Sequence, residues 1–440
     1  MNHNVRQLAY HVLIDIEQNG AYANIALDKA LLHSGLNPSD RRLATELVYG
    51  CTKMKLHLDQ VINAYCDLKK VDKYTLMILR MAVYQICFLE KIPMHAIVNE
   101  TVELAKKEGL HSDKFINGVL RSMERREKNV VWPDKRKQRN QFFAKWYSFP
   151  QWMIDIWVKM YGFSAAEQLC MYFNAPAATW LRVNTLKVKP EEVIISLEKN
   201  NVKYEQHPMM PEAIRVDSLQ VLKDTNALKS GQLIVQDFSA MLPSVILAPA
   251  ENQCVLDMCA APGGKTTPLS AIMNGNGRIV ACDLHPHRVK LIEENVKKLG
   301  IKNVECFATD ARALPACFNY TFDTILLDAP CSGLGVLNRR ADLRWRVRRG
   351  GLGEIECLQR ELLDAAVRYL KPNGTIVYST CTLNKGENES QIQAFLERHP
   401  DFELESFDVL DKHIESGMYT IVPYEAHSDG FFIAKLHRKE

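Results

Sequence analysis

None of the 12 cysteines of this 440-residue chain forms a C-x-x-C pair, and 12 over this length is too sparse for a disulfide framework. Zinc-ribbon and thioredoxin-type readings are thereby excluded. None of the 13 histidines belongs to an H-E-x-x-H motif, and His285 and His287 stand apart from any cysteine cluster, so no metal is expected. The longest stretch without a charge or strong polar break runs about ten residues near Met241–Ala250, against the roughly 20 a bilayer-spanning helix needs, so no membrane partner is expected. The start, MNHNVRQLAYHVL, lacks the basic region, apolar run and small-residue cleavage site of a leader, and a cytoplasmic protein is expected. What is present is ordinary: 47% hydrophobic and 24% charged residues describe a folded chain, long enough for more than one domain. Cysteines such as Cys51, Cys87 and Cys170 lie in apolar runs and read as small buried hydrophobes.

The net charge of +3 conceals an asymmetry. Residues 1–145 carry 23 Lys and Arg against 16 Asp and Glu, whereas residues 146–440 carry 32 against 36. Arg121–Lys145 holds nine basic and three acidic residues, with Trp132 and Phe142 among them. Arg339–Arg349 (RRADLRWRVRR) holds six arginines and Trp345 beside one acid. Cations interleaved with aromatics suit a polyanion with exposed bases. A solvated linker is the simpler reading of Arg121–Lys145.

From Val5 to about Met123 the apolar spacing is helical. It predicts helices over Val5–Asn19, Ala23–Leu32, Ser39–Cys66, Lys73–Leu89, His95–Lys107 and Ser112–Met123, with Ser39 and Ser112 as N-caps. An all-α domain over residues 1–141 follows. Residues 142–230 mix a helix at Pro150–Tyr161, a strand at Leu181–Val188 and a helix at Pro190–Asn200, a small α+β subdomain. From 231 to 440 short β-branched runs alternate with helical stretches: CVLDMC, GRIVACDL, NVECFATD, FDTILLDAP and GTIVYSTC. That alternation describes a doubly wound, mostly parallel sheet whose ligand lies beyond the strand carboxyl ends.

The loop after the first of these runs is Asp257-Met-Cys259-Ala260-Ala261-Pro262-Gly263-Gly264-Lys265-Thr-Thr. A phosphate-cradling Walker loop requires glycine where Cys259 stands, and the G-x-G-x-x-G dinucleotide fingerprint is absent. There remains a Gly-Gly turn with acids at successive strand ends. Asp283 is positioned to accept ribose hydroxyls, and Asp310 to meet an adenine amino group. An adenosine-type cofactor without a phosphate requirement fits this set.

The fourth run ends Asp328-Ala-Pro-Cys331 and the fifth Ser379-Thr-Cys381-Thr, so both thiols reach one crevice. A thiolate is a soft nucleophile. C5 of cytosine is too electron-poor to accept a methyl group directly, whereas thiolate addition at C6 makes C5 enamine-like. Asp328 could hold N3 and the amino edge of such a base. Either cysteine could be the nucleophile on these grounds.

The strings DMCAAPGGKTT, LLDAPCSGLG and YSTCTLNKGENE, in that order, resemble the motifs of the NOL1/NOP2/Sun family of RNA cytosine-C5 methyltransferases. DRRLATELVYGC, ILRMAVYQI and FINGVLRSM resemble the NusB-type RNA-binding helical fold. The fold class this implies is an all-α NusB-like bundle followed by a Rossmann-like methyltransferase domain with a seven-stranded sheet. HSDGFFIAKL is similar to the antiparallel strand that closes it. The resemblance implies S-adenosylmethionine as cofactor, held by Cys259, Ala260, Ala261, Pro262, Gly263, Gly264, Lys265, Asp283, Asp310 and Asp328. It implies Cys381 as nucleophile, Cys331 as the product-release residue, and small-subunit ribosomal RNA as partner. Arg182, Asn184, Arg339, Arg340, Arg344 and Trp345 are candidate RNA contacts, and a monomer is expected. Gly350-Gly-Leu-Gly353 departs from the family pattern, where a polar helix start is expected. The rival class, an RNA-binding assembly or antitermination-type factor on an inactive methyltransferase fold, has no need for two thiols and an acid at one mouth.

Overall fold

The computed structural model describes residues 4–217, 219–222 and 226–440. The first three residues of the amino-terminal string therefore lie outside the described residues. The chain divides into two compact units, one of residues up to Pro176 together with Leu337–Arg346, the other Ala177–Val336 with Val347–Glu440. Boundaries expected near 141 and 230 are thus not those of the compact units.

In the first unit the apolar periodicity produces helices Val5–Gln18, Ala23–Leu32, Pro38–Lys53, Lys55–Asn63, Lys73–Phe88, Met94–Lys107 and Asp113–Glu124. They bury Leu13, Leu47, Ile62, Ile78, Val83, Ile97 and Leu120 in one core. The single helix expected over Ser39–Cys66 is two, broken at Met54. Two side chains claim the backbone there: Thr52 O accepts the Trp345 indole N–H at 2.6 Å, and Leu56 N donates to Ser148 Oγ at 2.9 Å. Asn37, not Ser39, caps the first of these helices, accepting from Asp40 N at 2.9 Å. Ser112 stands at its N-cap position, yet its hydroxyl meets Thr75 Oγ1 at 2.7 Å and caps nothing. Cys51 and Cys170 are buried as expected, but Cys87 is exposed. Helices Arg139–Trp146 and Gln151–Asn174 complete this unit, the latter bent at Gly162 (φ 79°).

The second unit opens with a small antiparallel sheet of β1 (Thr179–Val183), β2 (Tyr204–His207), β3 (Met210–Val216) and β4 (Leu233–Val235), in the order β2-β3-β1-β4. β1 stops short of the expected Val188 because the Asn184 side chain turns inward and donates to Gly231 O and Leu299 O at 3.0 and 3.1 Å. The main sheet comprises β5 (Cys254–Asp257), β6 (Arg278–Asp283), β7 (Val304–Ala308), β8 (Phe322–Asp328) and β9 (Leu370–Thr380), all parallel. β10 (Phe402–Leu404) pairs with the closing strand, and β11 (Phe407–Val409) with β12 (Lys412–Ile414) form a separate ribbon. β13 (Met418–Ile421) and β14 (Phe431–Arg438) end the chain, β14 lying antiparallel to β9. The order is β10-β14-β9-β8-β5-β6-β7 with β13 on β14, so the sheet has eight strands where seven were expected.

Alternation along the central strands sends Leu256, Val280, Ile325, Leu327 and Ile376 to one layer with Leu362, Leu363 and Ala366. Val255, Ile279, Leu326 and Val377 face the other, against Leu242, Ile246 and Leu269. Strand order reverses between β5 and β8. In doubly wound sheets the ligand crevice opens at that point.

Candidate active site

The loop after β5 is held from beneath. Asp257 is fully buried and accepts from Thr266 Oγ1 at 2.7 Å, while its other oxygen meets no donor. Burial, with Asp328 adding to it, pushes this carboxyl up to about 7 against the pull of the Thr266 hydrogen bond. Gly263 sits at φ +95°, a backbone setting open to glycine. Gln236 Nε2 donates to Gly264 O at 2.7 Å. Arg182 in turn donates to Gln236 Oε1 at 2.7 Å and to Thr267 Oγ1 at 2.8 Å. Arg182 and Asn184, read as RNA contacts, are therefore buried braces; the arginine supports the glycine loop and the asparagine a turn. Arg182 lies on β1 and Asn184 just past its end, in a segment, LRVNTLK, whose sequence carried no mark of this burial.

Asp283, at the end of β6, is 3% exposed and accepts from Ala261 N and His285 N, each at 3.3 Å, with Arg288 Nη1 3.4 Å away. Asp310 lies two residues past β7, where hydrogen bonds from Arg312 hold it below the usual carboxylate range. Burial pushes the Cys259 thiol well up, Asp257 adding to it. Lys265 does not point to a phosphate position: its Nζ donates to Asp328 Oδ2 at 2.6 Å. Burial disfavours that ammonium, but Asp328 outweighs it and the net shift is upward. A lining with four acids, its lysine already paired, fits a cofactor bearing ribose hydroxyls and positive charge and does not fit a triphosphate.

Across the crevice, Ser379 Oγ donates to Asp328 Oδ1 at 2.9 Å. Cys331 Sγ and Cys381 Sγ lie 3.3 Å apart, at the ends of β8 and β9. The contact with Cys381, followed by burial, raises the Cys331 thiol well above its ordinary value, and either sulfur can donate across the contact. Gly335 N donates to Cys381 O at 2.9 Å. A Cβ on Gly335 would lie 2.0 Å from Gly430 O and 2.8 Å from Cys381 O, so no other residue fits there. The residues that the motif reading left without a role are Ser332, Thr382, Asn384, Glu387 and Gln359, a buried polar cluster behind the two thiols. A hydroxyl residue following each cysteine was the available signal.

The arginine-rich segment is placed differently from the expectation. Arg344 is wholly buried in the first unit, donating to Asn174 Oδ1 at 2.9 Å and to Ser148 O at 3.2 Å, its guanidinium 4.0 Å from the Phe149 ring centre. Trp345 is fixed by Thr52 O, and Arg346 by Gly20 O at 2.7 Å. Arg344 and Trp345 are thus packing residues rather than an RNA-facing surface. Arg340 is exposed and Arg339 half-buried. The helix begins within Gly350-Gly-Leu-Gly353, at Leu352, with Gly351 at the N-cap position and no side-chain cap. Among the described residues no group of three or more His, Cys, Asp or Glu is placed to hold a metal ion. No helix among them is long and apolar enough to cross a membrane.

A parallel sheet that offers carboxylates instead of a phosphate cradle, beside an Asp-Ala-Pro-Cys strand end, defines a Rossmann-like S-adenosylmethionine-dependent methyltransferase. Comparison with known proteins narrows this class. The family model for the 16S rRNA methyltransferase RsmB/F matches residues 244–437, that of the NusB family 3–125, and that of the RsmF/B-like ferredoxin-like domain 149–221. The "Probable ribosomal RNA small subunit methyltransferase B" of Bacillus subtilis (strain 168) is 35% identical, over 99% of this chain and 99% of its own. The crystal structure of PH0851 superposes with a TM-score of 0.83 at 27% identity, covering 100% of both chains. That of NSun6 from Pyrococcus horikoshii with SFG, an S-adenosylmethionine analogue, gives 0.60 at 25% identity over 67% of this chain and 99% of the other. The chain belongs to the ribosomal RNA small subunit methyltransferase B family. It is an RNA methyltransferase that uses S-adenosylmethionine.

Proposed function

We propose that this enzyme methylates C5 of one cytosine in small-subunit ribosomal RNA, cytosine 967 of 16S rRNA by resemblance, through a transient bond between Cys381 and C6. The observation that carries the reading is the 3.3 Å contact between the Cys381 and Cys331 sulfurs, which lie just past the ends of β9 and of β8, the strand that carries Asp328. The choice of Cys381 over Cys331 as nucleophile rests on the resemblance of the YSTCTLNKGENE motif.

The cofactor supplies an electrophilic methyl group, and the loop 259–265 with Asp283, Asp310 and Asp328 would hold it. The target base enters the crevice everted from its stack. Each oxygen of Asp328 already accepts one hydrogen bond and keeps a second lone pair, enough to take the base's amino group and a protonated N3. Lys265 and Ser379 fix that carboxylate. Attack of the Cys381 thiolate on C6 pushes the ring electrons toward N3 and C5, and Asp328 stabilises the charge that develops. Once C5 carries the methyl group, its proton leaves to a base, the C6–S bond breaks, and the electrons restore the C5–C6 double bond. Cys331, whose sulfur lies 3.3 Å from that of Cys381, would assist that release. The helical first unit would widen the RNA footprint, and the enzyme would act in the cytoplasm as a monomer.

The test uses labelled S-adenosylmethionine and deproteinised small-subunit RNA. Cys381→Ala should abolish transfer, and Cys331→Ala should accumulate a protein–RNA adduct stable on a denaturing gel. An active Cys381→Ala enzyme, with a dead Cys331→Ala that forms no adduct, would invert the two roles. Bisulfite sequencing of RNA from a deletion strain identifies the base.

A further inference from the structure

A buried acid behind the crevice binds both cysteine loops and has no part in the chemistry just described. Glu387 is 0% exposed. Its Oε1 accepts from the Ser332 hydroxyl at 2.5 Å and from Asn384 Nδ2 at 3.1 Å. Its Oε2 accepts from Ser332 N at 2.8 Å and from Gln359 Nε2 at 3.2 Å. The Thr382 hydroxyl lies 2.8 Å from that of Ser332 and 3.5 Å from Glu387 Oε1. Ser332 directly follows Cys331, and Thr382 directly follows Cys381. One side chain therefore gathers the residue after each thiol. Gln359 Nε2 also donates to Pro330 O at 2.9 Å, so the residues on either side of Cys331 share a single anchor. The Glu387 backbone is held as well, its carbonyl accepting from Tyr378 OH at 2.7 Å.

We infer that Glu387 is a positioning residue whose carboxyl sets the separation of the Cys331 and Cys381 sulfurs, and through it the rates of adduct formation and release. Two strand ends carry the thiols; past Ala329 N–Ser379 O the regular ladder stops, and Gly335 N–Cys381 O is a backbone bond between the two loops. The Glu387 cluster adds side-chain bonds to the residues that directly follow the two cysteines. Reacting groups need to be held to within about half an ångström, and supporting hydrogen bonds supply that precision. The inference rests on the reading of Cys381 and Cys331 given above, and a probe that needs no catalysis separates the two.

That probe is the rate at which diamide joins Cys331 and Cys381. Both thiols lose a proton and an electron to the azo group, a disulfide forms, and diamide becomes the hydrazine. Peptide mass spectrometry reads the product in the full-length protein, with alkylation of exposed Cys317 and Cys357 as internal reference. In Glu387→Gln the disulfide should form at least about tenfold more slowly or faster than in the wild type, the reference thiols unchanged. kcat should fall by about 10- to 100-fold while KM for S-adenosylmethionine stays within about twofold. Ser332→Ala keeps the acid and the backbone donor, and should shift both readouts in the same direction by a smaller factor. If Glu387→Gln does not fold, this milder variant decides alone. Unchanged cross-linking and kcat in a folded variant overturn the inference. An active Cys381→Ala enzyme would instead sink the catalytic reading and leave the cross-linking result to stand by itself.

Discussion

Lys265 Nζ and Asp328 Oδ2 are joined at 2.6 Å, a charge-assisted bond that spans from the glycine loop to the end of β8. The same ammonium lies 5.1 Å from the centre of the Phe431 ring on β14. Three strands' ends are thereby connected through one side chain, and the lysine that would clasp a phosphate in a nucleotide hydrolase is committed to an acid instead.

Asp328→Asn should leave the fold intact and remove the charge that favours a protonated N3. Transfer should fall by about 10²- to 10⁴-fold, the range supplied by a placed proton-handling group. Single-turnover methylation of small-subunit RNA measures it, and a loss under about threefold would remove Asp328 from the chemistry.

Arg182→Ala should weaken the cofactor loop and not RNA binding. It leaves Gln236 Oε1 without its buried donor, at a cost of about 1–3 kcal/mol. Isothermal titration should show weaker S-adenosylmethionine binding, while the salt dependence of RNA affinity stays at the wild-type slope. A shallower slope would instead restore a phosphate contact to this residue.

Arg344→Ala should lower the melting temperature, because buried carbonyls of Ser148 and Phe173 lose their donor, at about 1–3 kcal/mol for each orphaned acceptor. RNA affinity of the folded fraction should be unaltered. A weakened RNA complex with an unchanged melting temperature would contradict this placement.

The carboxyl of Asp257, pushed up from 3.8 to about 7, links stability to pH. Below 3.8 the folded and unfolded chains both carry the proton, and its contribution is whole. As pH climbs toward about 7 the unfolded chain ionises while the folded one does not, so that contribution drains away. Asp257→Asn lacks this titration. The melting temperature of the wild type minus that of the variant should therefore decline between about pH 4 and pH 7. A difference that stays flat across that interval rejects the shift.

Much of this molecule was readable from residue order. Helical spacing located the helices up to Glu124 to within a residue or two, except where Trp345 and Ser148, from distant parts of the chain, divide one at Met54; it missed Arg139–Trp146 and ended at Tyr161 a helix that bends at Gly162 and runs on to Asn174. The parallel strands were visible as β-branched runs ending in acids. Their order, and the eighth strand β13, depend on long-range pairing that no local pattern encodes. In the site, the motif residues announced themselves by type. Glu387 and Gln236 did not, since each acts by hydrogen bonding to segments far from it in sequence. Arg344 misled for a related reason: six arginines beside a tryptophan look like a surface for a polyanion, until buried carbonyls claim one of them.

The excursion of Leu337–Arg346 into the first unit has a consequence for dissecting the enzyme. The backbone passes between the two units at 176, at 336 and again at 346, so no single cut yields two self-sufficient halves. A fragment ending at Pro176 would leave the site of the Arg344 guanidinium vacant and the Thr52 carbonyl without its indole. The complementary fragment would carry Trp345 on a strip of chain with no helices to receive it. Co-expressing the two pieces, and asking whether they reassociate, is the sounder way to take this protein apart.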